Sequence, residues 1–335
     1  MKVKKSWVEP VVDFFGARSQ GYSAALFRIA YGLLAIWTAV GVQLNQTRYY
    51  TDEGMIPWAR VKHFKEQIYS VLTQAPEDPE WVRAVTMTYL VAAVLYTVGF
   101  VPRFWSLVIF VVNVALQHRN PYTVNGGDRL FLILGLLGAL MPLGQRWSVD
   151  AWIRAKLGWE YRPTTVWSQR IIGLQISYIY LFSCFAKLAH RGWWKGQALF
   201  FVLSSEVFAE WPVEIHFTPF IAAMTYGTLL FEWLLPLVVW LPRYRLPALA
   251  AGILFHIGID VFMLIPMFSA VMVVSYSCYL TDEETLRVVN FVLRPLGVRL
   301  GPDPSELGAA GLADQGAGDG QSAAAAQSGS AAQSG

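Results

Sequence analysis

Apolar positions in this chain gather into eight runs, at about 24–44, 81–101, 104–118, 128–142, 171–189, 219–240, 247–264 and 267–280. Each is near the roughly 20 apolar residues that a helix needs to cross a bilayer, though the third, fourth and eighth are short. The pattern predicts an all-α polytopic membrane bundle of about eight transmembrane helices. The run at 171–189 is two-sided. Ser177, Tyr180, Ser183, Cys184, Lys187, His190 and Arg191 fall on one side at helical spacing. Ile171, Leu174, Phe182, Phe185 and Ala189, with Tyr178 among them, fall on the other. The helix therefore has one polar stripe and one stripe suited to lipid.

The polar segments between the runs set the organisation. Residues 1–23 carry Lys2, Lys4, Lys5 and Arg18, and Trp7, Val11, Phe14 and Phe15 make them amphipathic, which predicts a segment on the cytoplasmic membrane surface. The first run starts too late for an ordinary cleaved signal peptide. Residues 24–285 form the transmembrane domain, 286–300 an amphipathic stretch on the same surface, and 301–335 a tail expected to be disordered. That tail has no Lys or Arg and almost no large apolar residue. Lys and Arg concentrate on one side of the membrane, at Arg103, Arg146, Arg154, Lys156, Arg162, Arg170, Arg243 and Arg245. The loops of the other side collect acids such as Asp52, Glu53, Glu80 and Glu206. This bias predicts both termini in the cytoplasm.

Candidate chemistry follows from the polar groups inside the runs. A Lys within a bilayer costs about 2.5–3.5 kcal/mol on insertion scales, so Lys187 either serves a function or snorkels to the interface. Counted from the outer helix ends at 1.5 Å per residue, Lys187 lies roughly 5 Å deep, Asp260 roughly 7 Å and Glu232 roughly 20 Å. That ordering predicts Asp260, rather than Glu232, as the partner of Lys187. Glu232 reads as a carboxyl hydrogen-bonded inside the bundle. His256 shares a face with Asp260 and is either a core histidine or a catalytic one. Asn113 and Gln117 share a face of the third run, with His118, Arg119 and Asn120 at its outer mouth. Asp128 follows the turn signal Asn125–Gly126–Gly127. It either caps the next helix or belongs to a loop lining an outward cavity with Lys187 and His256. Trp193 and Trp194 read as interface anchors of a short outer helix over that cavity.

Composition agrees with the membrane reading. The 335 residues are 55% hydrophobic and 15% charged, against about 25% charged in a soluble domain. The net charge is only +3, and no basic run points to nucleic acid. Two cysteines, Cys184 and Cys278, make no disulfide framework. No CxxC, HExxH, GxGxxG or P-loop is present, so no metal site is expected.

An ordered series of motifs runs through the chain: LFRIAYG, RYYTDEGMIP, QHRNPYTVNGGDRLF, MPLGQRWSVDAW, FAKL with GWWKGQAL, and FHIGIDVFMLIPMFS. In order and spacing this resembles the HTTM family, the membrane domain shared with vitamin K-dependent gamma-carboxylases and with a bacterial sporulation-delaying toxin maturation protein. The resemblance implies chemistry on the extracytoplasmic side of a bacterial plasma membrane. It implies Lys187 as the base toward a reduced quinone of the vitamin K hydroquinone type, with His256 and His118 as further catalytic candidates. Tyr180, Asn113, Gln117, Arg119, Asn120, Asp128 and Asp260 are the binding candidates. The carboxylases also carry a large lumenal domain that docks their protein substrate, and this chain has only short outer loops. Three functions stay open: a quinol-coupled, carboxylase-like membrane enzyme; an accessory protein that matures or exports a secreted peptide; and a lipid- or quinone-binding membrane protein without catalysis.

Overall fold

A computed structural model of the chain describes residues 8–61, 71–73, 78–207, 216–265 and 267–302. The basic residues Lys2, Lys4 and Lys5, the loop at 62–70 and the tail from 303 onward, expected to be disordered, lie outside these.

All eight apolar runs are helical. Chain order runs α1 (Glu9–Gly16), β1 (Arg18–Ser19), α2 (Tyr22–Tyr50), α3 (Trp58–Val61), α4 (Pro79–Val98), α5 (Pro102–Arg119), α6 (Gly126–Gly138) and α7 (Val149–Lys156). It continues with β2 (Thr164–Thr165), α8 (Trp167–Leu188), α9 (Arg191–Trp194), α10 (Ala198–Leu203), α11 (Pro219–Val238), α12 (Arg245–Phe262), α13 (Phe268–Ser275) and α14 (Asp282–Leu293). By length and composition α2, α4, α8, α11 and α12 can each cross a membrane. α6 is shorter than its apolar run: it ends at Gly138, and its 13 residues span roughly 20 Å against a hydrocarbon core of about 30 Å. α13 has 8 residues and tightens into a 3-10 turn at Tyr276–Tyr279. One feature departs from an all-helical reading: β1 and β2 pair antiparallel, Arg18 opposite Thr165 and Ser19 opposite Thr164.

The chain divides at Tyr279. In the C-terminal unit, α14 starts at a capping box in which Thr281 and Glu284 satisfy each other's backbone N–H groups.

Within the larger unit, packing starts from α2. A Cβ on Gly32 would fall 2.2 Å from Thr97 Oγ1, so only glycine lets α2 and α4 approach this closely. Tyr31 stacks on Phe131 with ring centroids 4.5 Å apart and donates to its carbonyl at 3.0 Å. The outward faces stay apolar and uncovered, as at Leu33, Trp37 and Leu44 of α2.

Arg28 holds one end together. It is fully buried and its guanidinium donates to the carbonyls of Leu143 at 2.6 Å, Arg146 at 3.1 Å, Thr97 at 3.2 Å and Trp147. These acceptors lie in the turns that close α4 and link α6 to α7. The amphipathic α1 packs at the same end, where Phe14 lies 5.3 Å from the Trp240 ring and Arg170 sits 4.9 Å over Phe14. Replacing Arg28 with Ala would orphan these carbonyls, each costing about 1–3 kcal/mol when buried. Thermal unfolding in detergent should show a loss of more than about 3 kcal/mol; an unchanged midpoint would refute this role.

Candidate functional site

The part of the predicted polar stripe that lies in α8 faces the bundle, while His190 and Arg191, beyond the helix end, are exposed. Ser177, Tyr180 and Cys184 are buried, while Leu174, Tyr178, Phe182 and Phe185 on the opposite side are exposed. A Cα–Cβ bond leans toward the N-terminus of its helix, so Lys187 reaches back along α8. Its Nζ donates to Ser183 Oγ one turn earlier and to both carboxylate oxygens of Glu232, at 2.6 and 2.9 Å. Ser183 Oγ also donates to Glu232 Oε1 at 3.2 Å. The indole of Trp193 lies under the ammonium at 5.4 Å, and the Lys187 side chain is 24% exposed against 8% for Glu232.

The partner of Lys187 is therefore Glu232 and not Asp260. The depth estimate treated the helix ends as level, and they are not. Tyr226 Oη donates to the Trp194 carbonyl at 2.8 Å, and Leu199 N donates to Thr225 Oγ1 at 3.4 Å. The first two turns of α11 thus stand beside α9 and α10, beyond the end of α8. Gly196, with φ +68, permits this contact, since a Cβ there would lie 2.9 Å from that of Ala222. Cys184 Sγ donates to the Leu229 carbonyl at 3.6 Å, which puts residues 229–232 level with the last turns of α8. Asp260 shares the His256 side of α12 but sits in its last turn and is exposed.

Further along α8 the network continues without charges. Tyr180 Oη is 2.7 Å from His256 Nε2 and in short contact with Tyr276 Oη. One turn on, Ser177 Oγ meets Tyr279 Oη at 3.0 Å and accepts from Trp240 Nε1 at 3.1 Å. Tyr279 Oη donates to the Gly173 carbonyl at 2.8 Å. His256 is 1% exposed, and its Nδ1 has no partner among the described residues. The core-histidine reading thus accounts for one of its nitrogens. No hydrogen bond joins His256 to Lys187 among the described residues, although Tyr180 and Lys187 lie two turns apart on one helix face.

The α5 candidates gather elsewhere. Asn113, Gln117 and Asp128 line a cleft of about 470 Å³ with Tyr49, Tyr50 and Tyr89. Lys187 and His256 are not on its wall, so this cleft does not join the Asp128 loop to them. Gln117 Nε2 donates to the Asp128 carbonyl at 3.0 Å, and its buried Oε1 has no partner among the described residues. Asn113 Nδ2 donates to the Ile109 carbonyl at 2.8 Å. Asp128 does cap α6: its Oδ2 accepts from Asn125 N at 2.8 Å in a reciprocal capping box. Arg119, fully buried, donates to the carbonyls of Thr51 and Ile56, and Asn120 to that of Tyr49. These two fasten the turn after α2. The buried Nδ1 of His118 has no partner among the described residues. Cys184 and Cys278 are free and buried. Among the described residues no three His, Cys, Asp or Glu side chains cluster to hold a metal ion.

Sequence reasoning passed over Tyr276 and Tyr279. Their signal was the YSCY stretch, three polar groups inside an apolar run. It also passed over Arg28, whose only signal was a cation at the edge of a span.

The sequence profile described as HTTM domain matches residues 18–283. Sporulation-delaying protein SdpB of Bacillus subtilis (strain 168) is 26% identical over 210 residues, covering 59% of this chain and 64% of that protein. The match thus spans less than two thirds of its relative. No solved structure matches the chain.

A buried ion pair need not add net stability, yet removing one partner leaves a charge uncompensated, at a cost of about 3–5 kcal/mol. Lys187→Met and Glu232→Leu should each lower the melting temperature in detergent, and the double variant should recover most of the loss. Additive losses in the double variant would show that the two groups are not coupled.

Proposed function

The chain belongs to the HTTM family, and on that premise we propose that it is a multi-pass membrane protein with a proton-transfer site at Lys187 and Glu232. In this reading all eight apolar helices lie within a bacterial plasma membrane, both termini are cytoplasmic, and the site opens to the extracytoplasmic side. The observation that carries the proposal is the ion pair itself. An intramembrane amine and carboxylate in contact, joined by a hydroxyl, are costly to place in a bundle and are by default a site of function. Lys187 acts as the base, and Glu232 is the acceptor to which the amine can hand its proton.

The resemblance to the vitamin K-dependent carboxylases supports a reduced quinone as co-substrate. The residues at the amine fit a planar aromatic alcohol. The ammonium is partly accessible and lies against an indole face that can stack on a ring. When bound, a reduced quinone supplies reducing equivalents and a weakly acidic hydroxyl. The chain's part is to orient that hydroxyl toward Nζ and accept its proton. In this reading Tyr180 and His256, two turns away, hold a second polar group of the substrate, which the lack of a partner for His256 Nδ1 among the described residues supports.

A second reading draws on the similarity to sporulation-delaying protein SdpB. Here the protein is an accessory factor that matures or exports a small secreted peptide, and the Lys187 site serves that step. One experiment bears on both. Candidate secreted peptides are co-expressed with the chain, with and without quinol and bicarbonate, and their masses are recorded. Addition of CO2 that requires quinol supports the enzyme; a chain-dependent change in processing or secretion without added CO2 supports the accessory role. The Lys187→Met/Glu232→Leu double variant should keep its fold and abolish either effect. Full effect in that folded variant would remove the site from the mechanism.

A further inference from the structure

A second cleft, about 530 Å³, lies at the Arg28 end of the bundle. Its walls are the β1–β2 ribbon, the first turn of α5, the chain just past α6 and the first turn of α8. Its polar lining is Arg18, Arg103, Thr164, Thr165 and Ser168, and no acidic side chain is among its lining residues.

The donors in this cleft are underused. Arg103 gives its Nε to the Met141 carbonyl at 2.8 Å, and Arg18 gives one Nη to the Pro163 carbonyl at 3.4 Å. No ion pair involves either guanidinium among the described residues. Ser168 is 2% exposed, yet among the described residues its hydroxyl has no hydrogen-bond partner, nor does the hydroxyl of Thr164. A buried hydroxyl without a partner is costly unless a ligand satisfies it. Ser168 also stands in the first turn of α8, a helix of 22 residues whose cap residue, Val166, offers no side-chain acceptor. The leading N–H groups and the positive end of the helix dipole are therefore free to meet an anion.

We propose that this cleft binds the phosphate of an anionic phospholipid. Two guanidinium groups, two hydroxyls and a helix N-terminus are the donor set for phosphate oxygens, and arginine's fork matches them better than a point charge. The remaining walls favour a lipid over a free anion. Ala139, Leu140, Pro142 and Trp167 complete the lining, and Leu140 and Trp167 are 46% and 40% exposed. Phe104 and Leu107 of the adjoining α5 are exposed too. The cleft thus leads from two exposed guanidinium groups onto an apolar surface where acyl chains can lie. Basic pockets between transmembrane helices are the known setting for acidic headgroups. The site is separate from the Lys187 pair and does not depend on what chemistry occurs there.

The test uses the full chain in nanodiscs holding equal amounts of phosphatidylglycerol and phosphatidylcholine, with native mass spectrometry counting the lipids retained after release. The expected result is retention of phosphatidylglycerol over phosphatidylcholine, weakened about fivefold for each of Arg18→Gln and Arg103→Gln. Ser168→Val should weaken it as well. Arg162→Gln, which removes an exposed charge two residues before β2 and outside the cleft, should leave retention as in the wild type. Arg18→Lys/Arg103→Lys keeps the charge, guards against misfolding of the Gln variants, and should give intermediate retention. Equal retention of the two lipids by the wild type, or enrichment that survives in the folded double Gln variant, overturns the proposal. So does binding of inorganic phosphate in detergent with no preference for phosphatidylglycerol.

Discussion

An ammonium and a carboxylate in a helical bundle must find each other, because the surroundings offer almost nothing else to compensate them. The contact between Lys187 and Glu232 meets that condition and fixes how α8 and α11 lie side by side. Cys184 against the Leu229 carbonyl, Ser183 against Glu232 and Lys187 against Glu232 are three consequences of one alignment. A shift by one turn, about 5.4 Å, would break all three. The alignment also decides what flanks the pair: Trp193 on one side, and on the other the tyrosines and histidine that fill the rest of the α8 stripe.

The bundle satisfies its polar groups in two different ways. Around α2, α4, α5 and α6 the means are buried guanidinium groups bonded to backbone carbonyls, Arg28 at one end and Arg119 at the other. Each closes turns that would otherwise bury unpaired carbonyls. Around α8, α11, α12 and α13 side chains pair with one another, as Tyr180 with His256 and Lys187 with Glu232, beside bonds to backbone such as Tyr279 to the Gly173 carbonyl.

Both clefts sit off this network. The cleft beside Gln117 is walled by tyrosines, and the cleft at the opposite end by arginines and hydroxyls. Each holds a buried polar atom that no described residue satisfies, Gln117 Oε1 in one and Ser168 Oγ in the other. Such orphans are uncommon in a packed protein, and they are the features that invite ligands.

Length and period of the apolar runs were enough to give the helices, because a membrane core leaves the backbone few alternatives and 3.6-residue periodicity shows which stripe stays polar. The stripe of α8, the cap at Asp128 and the shared face of Asn113 and Gln117 were all legible for that reason. The choice between Asp260 and Glu232 was not. It depended on how far α11 projects past the end of α8, which α9, α10 and the close approach at Gly196 decide. Nor did sequence show that Arg119 and Asn120 bond the backbone after α2, or part the α5 cleft from Lys187. Periodicity along one helix sets the face on which a residue lies. The level at which it meets its neighbour is a relation between helices, and only their packing determines it.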